Sequence, residues 1–90
     1  KPATGAVLFQ NQPNPFNSKT IIRYHLPATY SNAQLVITDI SGTTLKTITI
    51  TTKGDGQISL AAGTLAQGSY YYSLVADGNK IDTKQLQVIR

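Results

Sequence analysis

The sequence contains no cysteine, methionine or tryptophan, and its four acidic residues are all aspartate, so glutamate is absent as well. Without cysteine, neither a disulfide nor a thiolate metal site can hold the chain together, and packing and backbone hydrogen bonds must stabilise it. No apolar run approaches the roughly 20 residues that a membrane-spanning helix needs. The 90 residues predict one domain with a single modest core and no membrane insertion.

Charged residues are also scarce, at 13% of the chain, although the net charge is +4. The cations are spread one or two per segment instead of forming a run. Nucleic-acid-binding proteins usually show a dense basic face or a recognisable motif, and neither is present. We therefore expect no nucleic-acid partner.

Groups capable of catalysis are few, because the chain has one histidine and four carboxylates. His25 is expected on the polar face of a strand beside Arg23, which disfavours a second positive charge, so a solvated imidazole is predicted. The aspartates lie in or beside predicted turns, where they commonly bond their own backbone, and no run has calcium-ligand spacing. The Gly-x-Gly in residues 53–56 lacks the flanking elements of a phosphate cradle. We expect no enzymatic activity, no cofactor and no metal.

Threonine, serine, isoleucine, valine and tyrosine make up much of the chain, which favours strands. Apolar residues alternate with polar ones over several runs separated by turn residues. The predicted strands cover residues 7–9, 20–26, 34–40, 43–51, 57–60, 69–76 and 81–89. About seven strands at spacings of roughly 8 to 12 residues predict an all-β fold, an immunoglobulin-like antiparallel β-sandwich.

Three local features refine this prediction. Leu45 falls on the opposite parity to Ile48 and Ile50, which predicts a bulge or a two-sided environment in that strand. Residues 77–80 have the composition of a tight hairpin turn, and residues 53–56 are expected to form a loop. The spacing of Gly68 and Tyr70 resembles the entry to a tyrosine corner, which gives Tyr70 a structural role.

The start of the chain differs in character from the rest. Residues 1–6 are small and turn-prone and are expected to be the end of a linker in a piece of a longer protein, with the domain covering residues 7–90. In the segment that follows, Pro15 pushes Asn14 towards extended geometry, which predicts a rigid, polyproline-like bend. Phe16 is expected to plug one end of the sandwich while the prolines protect an edge strand.

Four ordered blocks of the sequence resemble the type A C-terminal sorting domain of type IX secretion in Bacteroidetes-type bacteria. They are Gln-Asn-x-Pro-Asn-Pro-Phe-Asn at residues 10–17 with the strand after it, Asp-x-x-Gly at 39–42, Gly-x-Tyr-x-Tyr at 68–72, and the closing residues 82–90. Thr38 stands where the family often has an aromatic residue, and Gln85 and Gln87 make the last strand more polar than in many members.

The resemblance implies a non-catalytic secretion signal that is read by the outer-membrane translocon and its shuttle components. It also implies removal by a sortase-type peptidase near residues 1–6 and attachment of an N-terminal cargo domain to the surface, after transit through the periplasm. The candidate sorting and recognition residues are Pro13, Asn14, Pro15, Phe16, Asn17, Gly68, Tyr70, Lys84, Leu86, Val88 and Arg90. The basic terminus or an exposed strand edge would meet the receptor.

Two other functions are compatible with the sequence. An adhesive or carbohydrate-binding sandwich would stack sugars on exposed tyrosines, for which Tyr24, Tyr30, Tyr71 and Tyr72 are the candidates, although the chain has no tryptophan. An immunoglobulin-like spacer would continue past Arg90, whereas a sorting domain is expected to end there.

Overall fold

In a computed structural model of the chain, residues 5–27, 30–51, 54–63 and 65–89 are described, and all their regular structure is strand. The seven strands are β1 (Val7–Leu8), β2 (Lys19–Leu26), β3 (Ala33–Asp39), β4 (Thr44–Ile50), β5 (Gly54–Ala61), β6 (Gly68–Ala76) and β7 (Asn79–Val88). In this part of the chain there is also no helix long and apolar enough to cross a membrane.

The strands form two antiparallel sheets. One has three strands in the order β1-β2-β5, and the other has four in the order β4-β3-β6-β7. The fourth strand pairs with the third, so it belongs to the second sheet and not to the first as in an immunoglobulin constant domain. The predicted all-β sandwich is confirmed.

Alternation along the strands builds the core between the sheets. In β2, Thr20, Ile22, Tyr24 and Leu26 are buried, as the sequence pattern predicted. In β6, Tyr70, Tyr72, Leu74 and Ala76 share the inward face. β2 and β6 therefore each have one apolar face, and stacking the two sheets removes these faces from water.

The predicted loop at residues 53–56 is wrong for its described part, because β5 already begins at Gly54. Lys53 lies outside the described residues. Gly56 pairs with Tyr24, and a Cβ at this position would overlap the Tyr24 ring. Gly56 is thus a strand residue whose missing side chain makes room for an aromatic neighbour.

The bulge predicted around Leu45 is confirmed. Ile37 pairs with Lys46 and Thr38 with Thr44, so Leu45 is the extra residue of β4. A second bulge was not predicted: Leu74 pairs with Asp82 and Val75 with Lys80, which leaves Ile81 as the extra residue of β7. Both bulges lie in the four-stranded sheet.

The predicted turn at residues 77–80 is confirmed as a tight turn between β6 and β7, in which Asp77 and Gly78 have φ values of 50° and 81°. The turn between β3 and β4 is organised by Asp39, whose carboxylate Oδ1 accepts hydrogen bonds from the backbone N–H and hydroxyl of Ser41, at 2.9 and 2.6 Å, and from the N–H of Thr43, at 3.0 Å. The Asp-x-x-Gly block is therefore a turn-forming element.

Candidate recognition site at the junction of the opening segment and the last strand

Residues 9–16, called here the opening segment, connect the two sheets along one side of the sandwich. The segment first continues the pairing of β1 with β2: the N–H of Phe9 donates to the carbonyl of Arg23 at 3.0 Å. Gln12 and Ile21 then exchange backbone hydrogen bonds of 3.0 and 2.9 Å. Beyond Gln12 the chain leaves the three-stranded sheet and crosses to the other one.

At the four-stranded sheet the opening segment binds the edge of β7. The N–H of Phe16 donates to the carbonyl of Gln87 at 3.0 Å, and the N–H of Ile89 donates to the carbonyl of Phe16 at 2.9 Å. The N–H of Gln87 donates to Oδ1 of Asn14 at 3.0 Å, and Nε2 of Gln10 donates to the carbonyl of Gln85 at 2.6 Å. The backbone groups of this half of β7, which would otherwise form an open edge, are thereby occupied.

A buried tyrosine fixes the position of the opening segment. The hydroxyl of Tyr72 accepts a hydrogen bond from the N–H of Asn11 at 2.7 Å and donates one to the carbonyl of Phe9 at 2.8 Å. Burial raises the pKa of Tyr72 to about 12, and the carboxylate of Asp82 acts in the same direction. The phenol is therefore protonated at neutral pH and able to donate.

Asn11 is itself buried, and its side chain completes the anchor. Its amide Nδ2 donates to the hydroxyl oxygen of Thr20 and to the carbonyl of Pro13, each at 3.1 Å, and the Thr20 hydroxyl donates to the same carbonyl at 2.8 Å. Because each buried polar group has a partner, the segment is held without unpaired donors.

The two prolines shape the segment differently from the prediction. The Gln12–Pro13 and Asn14–Pro15 peptide bonds are both cis. A polyproline helix requires trans bonds, so the predicted polyproline-like geometry is wrong. The predicted bend itself is present, and it places Phe16 in the core with 2% of its surface exposed, as the plug prediction required.

The structure brings most of the candidate residues together at this junction. Val88 pairs with Gly68 on one side and forms a parallel bridge with Phe16 on the other. Leu86 pairs with Tyr70, whose hydroxyl donates to the carbonyl of Ala66 at 2.6 Å. This bond is the tyrosine corner that the sequence predicted.

Four of the candidates, Phe16, Tyr70, Leu86 and Val88, are buried and point between the sheets. A partner cannot touch these side chains in the folded domain. The exposed candidates are Pro13, Asn14, Pro15, Asn17 and Gly68. The sequence motifs thus combine residues that build the junction with residues that lie on its surface.

The remaining candidates are Lys84 and Arg90. Lys84 is half-buried, and its ammonium group lies 3.6 Å from the carboxylate of Asp82 on the same strand. Arg90 lies outside the described residues. Gly68 begins β6 with a φ of 152°, a conformation that favours glycine and explains the residue type at this position.

Four residues of the junction were not among the predicted recognition residues, although the sequence motifs include or adjoin them: Gln10, Asn11, Gln85 and Gln87. Gln85 and Gln87 act mainly through their backbone groups, which carry no residue-specific signal. Asn11 did carry a residue-specific signal, because an asparagine beside a strand and a pair of prolines is a common hydrogen-bond partner for backbone groups. The buried hydroxyl of Tyr72 needed such a partner.

The environment of His25 also differs from the prediction, because its partner is a carboxylate. Nδ1 of His25 lies 2.8 Å from Oδ1 of Asp55, across the β2–β5 pair, so Arg23 is not its only charged neighbour. Both side chains are largely solvated. Across the described ranges, no three His, Cys, Asp or Glu side chains are grouped as they would be to hold a metal ion.

Sheet order, the closed edge of β7 and the buried anchor together define a small immunoglobulin-like β-sandwich module. The sequence model of the secretion system C-terminal sorting domain matches residues 12–89, and the chain belongs to this family of type IX secretion domains. Membership implies a C-terminal sorting signal, contact with the secretion machinery, an N-terminal cargo and export to the surface or the medium.

The fold resembles that of a solved structure described as a biofilm associated protein, BSP domain, with a TM-score of 0.62 and 14% sequence identity. The similarity covers 91% of this chain and 15% of that one, so this chain spans a small part of its length. At this identity the likeness concerns the fold alone. No curated protein matches the sequence.

Proposed function

We propose that this chain is a non-catalytic signal that carries an exported cargo through the type IX outer-membrane translocon. The cargo crosses the periplasm, the signal is removed by a sortase-type peptidase, and the cargo becomes attached to the cell surface. The family match over residues 12–89 carries the proposal. The structure supports it by joining the most distinctive sequence blocks in one place.

The junction of the opening segment with β7 is the proposed recognition surface. Its buried members, among them Phe16 and Leu86, set the shape, and its exposed members, such as Asn14 and Asn17, meet the partner. A translocon that exports unrelated cargoes needs a surface that all of them share. A surface held by backbone hydrogen bonds and a buried anchor loses little conformational entropy on binding.

The peptidase is proposed to cut upstream of Val7. From Val7 onward the backbone is paired with β2, and Leu8 is buried. A peptidase needs several extended, accessible residues in its cleft, and this paired region does not offer them. The amino terminus of the released fragment, read by mass spectrometry, is expected to lie at or before residue 7, and a terminus within the opening segment would contradict this placement.

The proposal is tested by fusing residues 1–90 behind an exported reporter in a type IX-competent host. The reporter is expected at the surface or in the medium, and a fusion lacking residues 84–90 is expected to remain in the periplasm. Equal secretion of the two fusions would overturn the sorting function. Because the truncation also removes the buried Leu86 and Val88, it does not separate folding from recognition.

A matched pair of surface variants makes that separation. Gln87 lies exposed at the junction, and Gln57 lies exposed on β5 of the other sheet. Gln87→Lys is expected to trap the reporter in the periplasm, whereas Gln57→Lys is secreted, with the two melting temperatures alike. Secretion of both variants at the level of the parent would show that the junction is not the surface that is read.

The structure does not support the four-tyrosine platform expected for the adhesive or carbohydrate-binding alternative. Of its four candidate platform residues, Tyr24 and Tyr72 are buried in the core and Tyr30 is half-buried, so the four cannot form one platform. Tyr71 is exposed on the opposite face of β6 from Tyr70 and Tyr72. An immunoglobulin-like spacer between domains would not need the junction between the opening segment and β7.

A further inference from the structure

The face of the four-stranded sheet that points away from the core has an unusual composition. Its described residues combine hydroxyl groups, one aromatic ring and one charged group with two valines and a glycine. We call it the hydroxyl face; its polar and aromatic residues are Thr38, Thr44, Tyr71, Ser73, Lys80 and Thr83, and Val36, Val75 and Gly42 lie among them. The charged residues of the other sheet's outer face, by comparison, include Arg23, His25 and Asp55.

The hydroxyl face is hollow at its centre. A depression of about 380 Å³ lies over β3 and β6, which is within the roughly 300–1,000 Å³ of small-ligand clefts. Tyr71 stands beside it with 37% of its surface exposed, and Ser73 lies at its floor with 6% exposed. An aromatic ring thus borders a polar floor.

Both bulges of the sheet help to make this face polar. In an unbroken register Leu45 would pair with Thr38 and Ile81 with Val75, and both apolar side chains would stand on the outer face. The bulges bring Thr44 and Lys80 to these positions instead. A bulge commonly re-aims side chains next to a binding site.

The floor of the depression keeps hydrogen-bonding capacity for a ligand. The hydroxyls of Ser73 and Thr83 lie 2.8 Å apart and share one hydrogen bond. Two hydroxyl groups carry two protons, and this bond uses one of them, so the other can be donated outward. Thr38 and Thr44, which pair across β3 and β4, add two more hydroxyls at the rim.

We propose that the hydroxyl face binds an acidic oligosaccharide, a chain of sugars that carries carboxylate groups. A pyranose ring has an apolar face that stacks on a tyrosine and hydroxyls that both donate and accept, as the threonines and serine do. Among the described residues that line the depression, Lys80 is the only charged one and none is a carboxylate, so a sugar carboxylate is favoured at that end. This inference does not depend on the sorting function.

The test uses the 90-residue chain, oligogalacturonate as the acidic probe and a malto-oligosaccharide of equal length as the neutral one. Binding is followed by titration calorimetry and by amide chemical shifts. The acidic probe is expected to bind more tightly and to shift amides of β3, β6 and β7 on the hydroxyl face. Shifts confined to the three-stranded sheet, or no binding of either probe, would overturn the proposal.

Three variants identify the contacts. Tyr71→Ala is expected to weaken binding of both probes about tenfold, as truncation of a central aromatic contact does. Lys80→Gln is expected to weaken only the acidic probe, about two- to fivefold, which matches an exposed ion pair. Arg23→Gln, which removes a cation from the other sheet, is the matched control and leaves both affinities unchanged.

Tyr71→Phe guards against a folding effect, because it keeps the ring and is expected to bind like the parent. Equal weakening by Lys80→Gln and Arg23→Gln would mean that binding reflects net charge, and it would refute the site. If neither oligosaccharide bound, and Tyr71→Ala abolished the binding of a secretion-machinery protein, the face would be assigned to a protein partner. That outcome would refute the proposal as well.

Discussion

One oxygen atom, the hydroxyl of Tyr72, makes two of the hydrogen bonds that join the opening segment to the four-stranded sheet. Tyr72→Phe removes it and leaves the N–H of Asn11 and the carbonyl of Phe9 without their partner. Leaving such buried groups unpaired is expected to lower the free energy of unfolding by about 2 kcal/mol, measured by urea denaturation. The exposed Tyr71→Phe is the control and is expected to change it by less than about 0.5 kcal/mol.

The same hydroxyl predicts a loss of stability at alkaline pH. The pKa of Tyr72 rises from 10.0 to about 12 on folding, chiefly through burial, so the folded state holds this proton more tightly than the unfolded state. This proton contributes on the order of 2–3 kcal/mol to the free energy of unfolding. The contribution is complete below pH 10 and is lost as the pH rises towards 12.

Ionisation of lysines and of the other tyrosines is common to the parent and to Tyr72→Phe. The difference in stability between these two proteins is therefore expected to shrink between pH 10 and 12, as followed by denaturation at each pH. A difference that stays constant over this range would show that the hydroxyl is not buried as described.

Asp39 is expected to lose its stabilising contribution at acid pH, whereas Tyr72 loses its contribution at alkaline pH. Hydrogen bonds from the hydroxyl of Ser41 and the N–H of Thr43 lower the pKa of this carboxyl below its ordinary 3.8. Its contribution is present above pH 3.8 and is lost as the pH falls through the lower, folded value. Asp39→Ala should therefore melt below the parent at pH 7, and the gap between the two melting temperatures should close in strong acid.

At the scale of the elements, the contact between the opening segment and β7 rests on two exposed side chains, those of Gln10 and Asn14, as well as on the backbone. Oδ1 of Asn14 accepts the N–H of Gln87. Asn14→Ala removes this acceptor and is expected to cost about 1 kcal/mol, whereas Asn14→Asp keeps an oxygen there and stays near the parent. The hydrogen-exchange rate of the Gln87 amide measures this contact directly. Equal rates in Asn14→Ala and Asn14→Asp would contradict the prediction.

The strands themselves were largely predictable, because burial on one face imposes a period of two on the sequence. The run from Thr20 to Leu26 and the run from Tyr70 to Ala76 follow it closely. The start of β5 was missed because Gly54, Asp55 and Gly56 have low strand propensity. They are strand residues because they pair with the end of β2, and the Tyr24 ring requires glycine at position 56, which are tertiary causes that local sequence does not show.

The candidate site was predictable in part. Sequence blocks marked the segment at Pro13–Asn17 and the last strand, but they did not show that the two are hydrogen-bonded to each other. Such pairing depends on backbone groups 73 positions apart, as in the bond from the N–H of Ile89 to the carbonyl of Phe16. Side-chain patterns specify which face of a strand is buried, and they carry little information on which edge is covered.

At the scale of the whole molecule, the buried motif residues are proposed to maintain the shape of the junction between the opening segment and β7. Leu86→Met changes a motif residue but nearly conserves its volume, at a cost expected to stay below about 1.5 kcal/mol. Leu86→Ala leaves a cavity and is expected to cost about 2–5 kcal/mol. In the reporter fusion, Leu86→Met should be secreted like the parent and Leu86→Ala should not.

This prediction separates two ways of reading the motif. If Leu86→Met were retained in the periplasm at unchanged melting temperature, the leucine side chain itself would be read, and the domain would have to open on its receptor. Secretion that follows stability across both variants would instead assign the leucine to the shape of the junction.

The closure of the sandwich by its own opening segment also sets the time at which the domain can form. Asn14 and Phe16 are synthesised early, but their partners at Gln87 and Ile89 emerge 73 residues later. Until then the edge of β7 lacks its cover, so the native fold of the domain cannot be complete before residue 89 has been synthesised. A fold whose opening segment is hydrogen-bonded to its last strand is therefore completed only when both ends of the domain are present.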